Sequence, residues 1–456
     1  MNLTNGNINK ILLKFSLPLI VLQLLNQLYT LIDSIIVSRF SGGNEFAILS
    51  NISTLTMLGY CLVQGGAIVS NVVFAKMFGE ENKQGLSDAK RTFNIVFFVY
   101  STIIALLYCL FAKQLLELIH IPKYLLNDSI IVLIVYALNF IPVGIVTVNQ
   151  GILNGYGDSK TPMILCIIFQ VLNLILDYIV VAIFDKGVLG AALASLISVL
   201  LSAIFMYYKA NKLINSYKLK AHFSFDYLKS GITMMIPSTI SQSVYSFGSF
   251  FLQILVNGYG VEIINGYNVA FTLNNLLLCP LIGICNAYES FCAQNIGANK
   301  HDRVNEGFKS ILFFGTLICV ASSLLTFIFN KPLVSLYIKD TTLESFVYAD
   351  KAFLILILNY FAIFYKNSFD SYFKGHQKMK SLAFISTIVL ATRIILSFVF
   401  TPSFGPLFLT WACIISNVLG IIIYIVVLGT SFLYYEAKID NCEEITGENK
   451  NLKITP

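Results

Sequence analysis

Asp177 lies in the run NLILDYIVVAIF, residues 173–184, with no basic residue within seven positions. In a water-soluble core such a carboxylate would be a costly error; inside a bilayer, ionisable residues mark ion pathways and proton relays. Gln170, Asn173 and Asp177 are spaced by three and four, which puts them on one helical face. A second stripe, Gln23, Asn26, Gln27, Thr30 and Asp33, has the same spacing and also ends on an acid. If Asp33 and Asp177 face each other, the two carboxyls can share one proton. Na⁺ could replace it, because hard cations take carboxylate and carbonyl-type oxygens. Asn173 and a hydroxyl would complete that cage. Either ion removes one unit of the pair's negative charge, giving a site whose charge differs between empty and loaded states.

Two further stripes lack this endpoint. Ser238, Gln242, Tyr245 and Ser249 copy the Gln23–Asp33 pattern in the second half of the chain but reach no acid; the counterpart of Asp33 falls near Leu252. Residues 267–289 carry Tyr267, Asn268, Asn274, Asn275, Asn286 and Glu289. Polar side chains facing lipid are expensive, so all these stripes should face a bundle interior or a water-filled cavity. The bland alternative is helix–helix hydrogen bonding, which fits a single Asn or Ser well and a buried carboxylate poorly. Lys366 and Asp370, four apart, read as a structural pair.

The elements that position these residues follow from composition. The chain of 456 residues is 57% hydrophobic and 12% charged, with a mean hydropathy of +0.76; soluble domains carry about 25% charged residues. A bilayer-spanning helix needs about 20 apolar residues, and twelve such runs are readable. They are 15–37, 50–74, 93–112, 129–151, 163–184, 188–208, 231–256, 268–293, 310–329, 352–371, 382–401 and 407–433. The fold class is therefore an all-α membrane protein rather than a barrel of short alternating strands. Lys and Arg concentrate in the N-terminal segment and in alternate loops, which places both termini in the cytoplasm of a cell inner (plasma) membrane protein.

The halves repeat. AKMFGEENKQ at 75–84 matches AQNIGANKHD at 293–302, and the same offset carries Gly157 to Gly375, Gly187 to Gly405 and Ser198 to Ser416. Near the start, Pro18 pairs with Pro237 and Gln23 with Gln242. Six helices per half make parallel repeats, a transporter architecture with its site at the repeat interface. The expected organisation is an N-terminal lobe at 1–208, a basic cytoplasmic linker at 209–229, a C-terminal lobe at 230–433 and a polar, disordered tail at 434–456. The cysteines are scattered singly, with no C-x-x-C and no His cluster, which argues against zinc and a disulfide scaffold. No basic block suits nucleic acid. GYGDSKTP at 155–162 lacks P-loop spacing and follows no strand, so it reads as a tight turn. With no nucleophile or metal constellation and no nucleotide-binding segment, neither an enzyme nor an ATP-driven pump is expected, and no cofactor beyond H⁺ or Na⁺.

Together these residues resemble the multidrug and toxic compound extrusion (MATE) family. The resemblance rests on Pro18 with Asp33, GILNGYGDSKTPM at 151–163, NLILDY at 173–178, GVLGAALAS at 187–195 and AQNIGANKHDRV at 293–304, in that order. It covers about residues 10–433. It implies two six-helix lobes around a V-shaped cavity, and export of amphipathic, often cationic compounds driven by Na⁺ or H⁺ re-entry. It also implies that Asp33, Asn173, Asp177 and Ser195 bind the coupling ion, Ser195 standing where Thr is usual. One branch of the family carries an acid in the seventh helix; this chain has none between Gly231 and Gly260. The expected substrate cavity comprises Gln23, Asn26, Gln27, Thr30, Gln170, Gln242 and Tyr245, with Pro18 as the bending point of the first helix. A monomer in the lipid bilayer is expected. The runner-up function is a flippase for a lipid-linked sugar or lipid precursor of the same superfamily; it would favour a basic cavity, and only Lys366 and Arg393 are basic within the spans.

Overall fold

The structure is a computed structural model that describes residues 1–40, 43–118, 121, 123–184 and 186–446; among these, several side chains, including Thr30, Asp33, Tyr245 and those from 430 onward, lie outside the described set. Long apolar runs become helices because lipid offers no partner for backbone N–H and C=O groups, so each segment must satisfy its own. The helices are α1 (Ile8–Phe40), α2 (Gly43–Gly79), α3 (Lys83–Leu110), the short α4 (Ala112–Leu118), α5 (Leu126–Leu138), α6 (Phe140–Gly155), α7 (Lys160–Asp177) and α8 (Gly187–Asn215). The second half adds α9 (Phe225–Asn257), α10 (Val261–Gly297), α11 (His301–Ser335), α12 (Glu344–Gly375), α13 (Met379–Phe404) and α14 (Phe408–Thr446). Among the described residues there is no strand. Among the described residues eleven segments are long and apolar enough to cross a membrane, and the 33-residue α9 takes the seventh of twelve places.

The expected spans are all present, and most are longer, because the helices continue into polar flanks. Asn82 caps α3 by accepting the Gly85 N–H at 2.8 Å, and Ser224 caps α9 through the Tyr227 N–H. The fourth span is two helices, α5 and α6, broken at Asn139. The fifth passes from α-helix into a π-helix, Tyr178–Ile183. α8 runs to Asn215, so the non-helical join between halves is residues 216–224, and Lys209 and Lys212 lie on α8 rather than in a linker. α14 is helical to Thr446, past the expected start of the tail.

The repeat is visible in the backbone. Left-handed residues end equivalent turns: Glu81 and Asn299, with φ of 55° and 54°, and Gly187 and Gly405, at 53° and 82°. One expected pairing moves. Gly157 corresponds to Gln377, also left-handed, and it is Gly155 that matches Gly375, each packing against the equivalent residue of its neighbour, Ala75 or Ala293. The second half carries two extra residues before this turn.

The two halves pack as equivalent sets. α2 lies on α6 as α10 lies on α12, α6 on α8 as α12 on α14, and α1 on α7 as α9 on α13. Between halves, α1 crosses α10 where a Cβ on Gly283 would sit 2.6 Å from Ile20 Cα, and α9 crosses α2 where one on Gly65 would sit 2.5 Å from Thr239 Cα. These matching crossings are the signature of a pseudo-two-fold axis.

The proximal end of the bundle, where the N-terminus lies, is sealed. Leu3 is fully buried among Ile11, Leu12 and Phe15 and helices of the second half. Its N–H donates to Gln294 Oε1 at 3.1 Å, while Gln294 Nε2 donates to the Gly155 carbonyl at 2.6 Å. Arg303 Nη1 donates to the Gly6 carbonyl at 3.0 Å, and Lys300 Nζ to that of Thr4 at 2.9 Å. The N-terminal segment is thus a strap tied to both halves.

Candidate functional site

The acid that the sequence singles out is fully buried, at the last residue of α7. Beyond it the chain takes the wider π winding, with the Phe184 N–H donating to the Ile179 carbonyl. Single π turns inside helices mark functional places disproportionately. The second half has no counterpart to this winding: α13 is α-helical throughout.

Asn173, one turn earlier and 3% exposed, joins three neighbours. In one orientation of its amide, Oδ1 accepts from Tyr29 Oη and faces Asp177, while Nδ2 points to Ser195 Oγ at 3.4 Å. In the other, Nδ2 donates to Tyr29 Oη and to Asp177 Oδ2 at 3.1 Å, and Oδ1 accepts the Ser195 N–H at 3.1 Å. Amide orientation is set by the hydrogen-bond network, and this network favours the second: in the first, Oδ1 faces the Asp177 carboxylate and Nδ2 faces the Ser195 N–H. An ionised Asp177 only accepts, so it needs Nδ2. A protonated Asp177 can donate to Oδ1. A cation beside the carboxylate would likewise be met by Oδ1.

The structure thus brings Asp177 and Ser195 together around Asn173. Asp33 lies outside the described side chains, as do Thr30 and Tyr245. Gln170 Nε2 donates to Asn26 Oδ1, giving a second bridge from α7 to α1. Gln23, Gln27 and Gln242 are half-buried. Pro18 sits inside an α1 that is helical from Ile8 to Phe40. Two hollows, of about 650 and 320 Å³, lie beside Lys331 and Asp350 and beside the strap, away from these residues. Among the described residues no group of three or more His, Cys, Asp or Glu could hold a metal.

Sequence reasoning missed Tyr29. Its signal was present, three residues after Asn26 on the same stripe, but an aromatic ring at that spacing looks like packing. Lys366 and Asp370 do pair, Nζ to Oδ2 at 2.6 Å, and Tyr424 Oη donates to the other carboxylate oxygen. The C-terminal acid thus has an ammonium group beside it. Glu289, expected about four residues from a helix end, lies two turns inside because α10 continues to Gly297.

Comparison with known proteins decides the family. The MatE family profile matches residues 18–179 and again 237–399, the two halves of the repeat. The chain belongs to the MatE family. It is 22% identical to the probable multidrug resistance protein YpnP of Bacillus subtilis (strain 168), over 75% of this chain and 77% of that one. It is 28% identical to the multidrug export protein MepA of Staphylococcus aureus (strain MSSA476) over 37% of this chain and 38% of that one. A solved structure described as the outward-facing conformation of a multidrug resistance MATE family transporter superposes with a TM-score of 0.84 at 19% identity, covering 97% of this chain and 98% of that one. The chain is a multi-pass membrane transporter of the MATE multidrug efflux type, not an enzyme, built from two six-helix lobes, and it needs no cofactor.

Proposed function

We propose that the protein is a secondary exporter that moves amphipathic or cationic compounds out of the cell against inward H⁺ or Na⁺. The observation that carries this is the cluster of buried Asp177 and Asn173 with Tyr29, set beside half-buried amides on α1 and α7. Gln23, Asn26, Gln27, Gln170 and Gln242, with Thr30 and Tyr245, supply a wall of amides and aromatic groups suited to varied flat or cationic molecules.

The moving bodies are the lobes at 1–208 and 230–433, joined through 209–229, of which 216–224 is the non-helical part, with 434–456, whose first part continues α14, as a tail. The basic proximal end faces the cytoplasm of the plasma membrane, so the sealed proximal end makes this the outward-facing state. H⁺ or Na⁺ reaches Asp177, with Asp33 as its partner acid. Loading the carboxylate weakens the hydrogen bond it accepts from Asn173, and because Tyr29 of α1 meets the same amide, the change passes from α7 to α1. Pro18, which cannot donate a backbone hydrogen bond, lets α1 bend. Lining residues shift and the substrate leaves. The ion drives the cycle only because it binds the two conformations with unequal affinity. The working unit is a monomer.

The test is ethidium accumulation in cells that express the protein. Asp177→Asn keeps the size of the side chain and removes its ionisation, so cells carrying it should accumulate dye like cells without the protein, at equal membrane expression. Export retained by the variant would sink the site assignment.

A further inference from the structure

A residue can touch its own repeat mate only on the axis that relates the repeats. Asn71 and Glu289 are 218 residues apart, the offset of the repeat itself, and they are hydrogen-bonded: Asn71 Nδ2 donates to Glu289 Oε1 at 2.8 Å. Ser290 Oγ donates back to Asn71 Oδ1 at 2.9 Å. Glu289 and Ser290 are buried, at 3% and 0% exposure. Lys374 of α12, in the same lobe as Glu289, brings its Nζ to 3.7 Å from Glu289 Oε2.

The division of labour is uneven. The C-terminal lobe holds the carboxylate and its counter-ion; the N-terminal lobe contributes only a neutral amide. When the lobes part, two hydrogen bonds break, but no opposite charges separate, and Glu289 keeps Lys374. The freed amide and hydroxyl can be satisfied by water. A charge pair split between lobes would resist opening far more strongly, because separating charges in a low-dielectric site is expensive. Had the repeat kept Glu at both positions, two carboxylates would face each other at the axis.

We infer that the Asn71–Glu289–Ser290 contact is the latch of the proximal gate, and that the unlike residues at this symmetric pair set the balance between the proximally closed and open states. The inference rests on the rocking of lobes proposed above, and goes beyond it in naming the residues that hold one end shut.

The test is hydrogen–deuterium exchange of the full chain in lipid nanodiscs at pH 8.5. Asn71→Asp places a second carboxylate on the axis. It should speed exchange at the proximal ends of α2 and α10 and in residues 2–9 by about tenfold, the ratio produced by ~1.4 kcal/mol of like-charge repulsion. Distal segments should be unaffected. Adding Glu289→Gln to Asn71→Asp removes the like-charge pair and leaves one carboxylate across the axis from Lys374, so it should bring exchange back to the wild-type rate or below it. If Asn71→Asp does not accumulate, Ser290→Ala, which removes only one donor, should give the same local pattern at about threefold. Unchanged proximal exchange in these variants, or an increase that Glu289→Gln does not reverse, overturns the latch. Exchange is read without transport, so a latch that responds as expected in a protein that exports nothing would condemn the transport reading and leave the gate standing.

Discussion

The proximal seal depends on two missing side chains, and restoring them should open it. A Cβ on Gly79 would lie 1.9 Å from the Gln294 carbonyl oxygen, and one on Gly297 would lie 2.0 Å from the Lys76 carbonyl oxygen. Real Cβ contacts essentially never fall under 3.0 Å, so each alanine would force the α2 and α10 backbones apart by about 1 Å. Neither obstacle is the end of a flexible side chain; both are backbone, so rotamer changes give no relief. Overpacking of this kind costs roughly 1–3 kcal/mol. At ~2 kcal/mol, Gly79→Ala or Gly297→Ala should shift the closed-to-open ratio about 30-fold. The two clashes belong to one contact, so the double variant should cost much less than the sum. The assay is the same exchange measurement, read over residues 71–82 and 288–300. Gly429→Ala, with nothing within 4 Å of its added Cβ, is the control. Wild-type exchange in both single variants would refute the reasoning, as would faster exchange spread evenly over all helices, which is unfolding rather than opening.

Three further outcomes follow from the described contacts. Tyr29→Phe deletes the hydroxyl that meets Asn173; losing about 1 kcal/mol of hydrogen bonding should move the half-saturating concentration of the coupling ion about fivefold with expression unchanged, and no shift would remove Tyr29 from the site. Burial beside Tyr372 and Cys292 pushes His376 down to about 4, so it stays neutral in the fold while the unfolded chain protonates below 6.5. Its contribution is therefore intact above pH 6.5 and lost progressively toward pH 4, by about 3 kcal/mol in all; His376→Gln should lessen the acid sensitivity of the thermal midpoint in that window, and identical pH profiles would contradict this. Leu3→Ala, at a fully buried position, should cost roughly 2–5 kcal/mol and show as a lower thermal midpoint with faster exchange across the strap; an unchanged midpoint would mean that the strap does not hold the end shut.

Much of the fold was legible because lipid makes hydropathy decisive. The twelve spans, the repeat near 218 and the odd acid at 177 all follow from one-dimensional pattern. What escaped depended on partners in space. The break at Asn139 and the π winding after Asp177 sit inside long, mostly apolar runs that each read as one span, where periodicity gives no warning. The α1–α10 and α2–α9 crossings rest on Gly283 and Gly65, whose importance is only that a neighbouring backbone passes there. Tyr29 was hidden by its ring. Asn71 was hidden because an amide on a helix is usually glue; its meaning lies in meeting Glu289, its own repeat mate. Asp33, the acid that would complete the site, lies outside the described side chains, and the ion is not written in residue types, since H⁺ and Na⁺ ask for the same oxygens.

The most direct measurement of the central claim is dye efflux from proteoliposomes holding the protein, with Na⁺ and H⁺ gradients imposed separately, beside Asp177→Asn. The account predicts efflux driven by an inward gradient of one of these ions and lost in the variant. Efflux indifferent to both gradients, or surviving Asp177→Asn unchanged, would contradict it; no efflux from well-folded protein would turn attention to a lipid-linked precursor as the cargo.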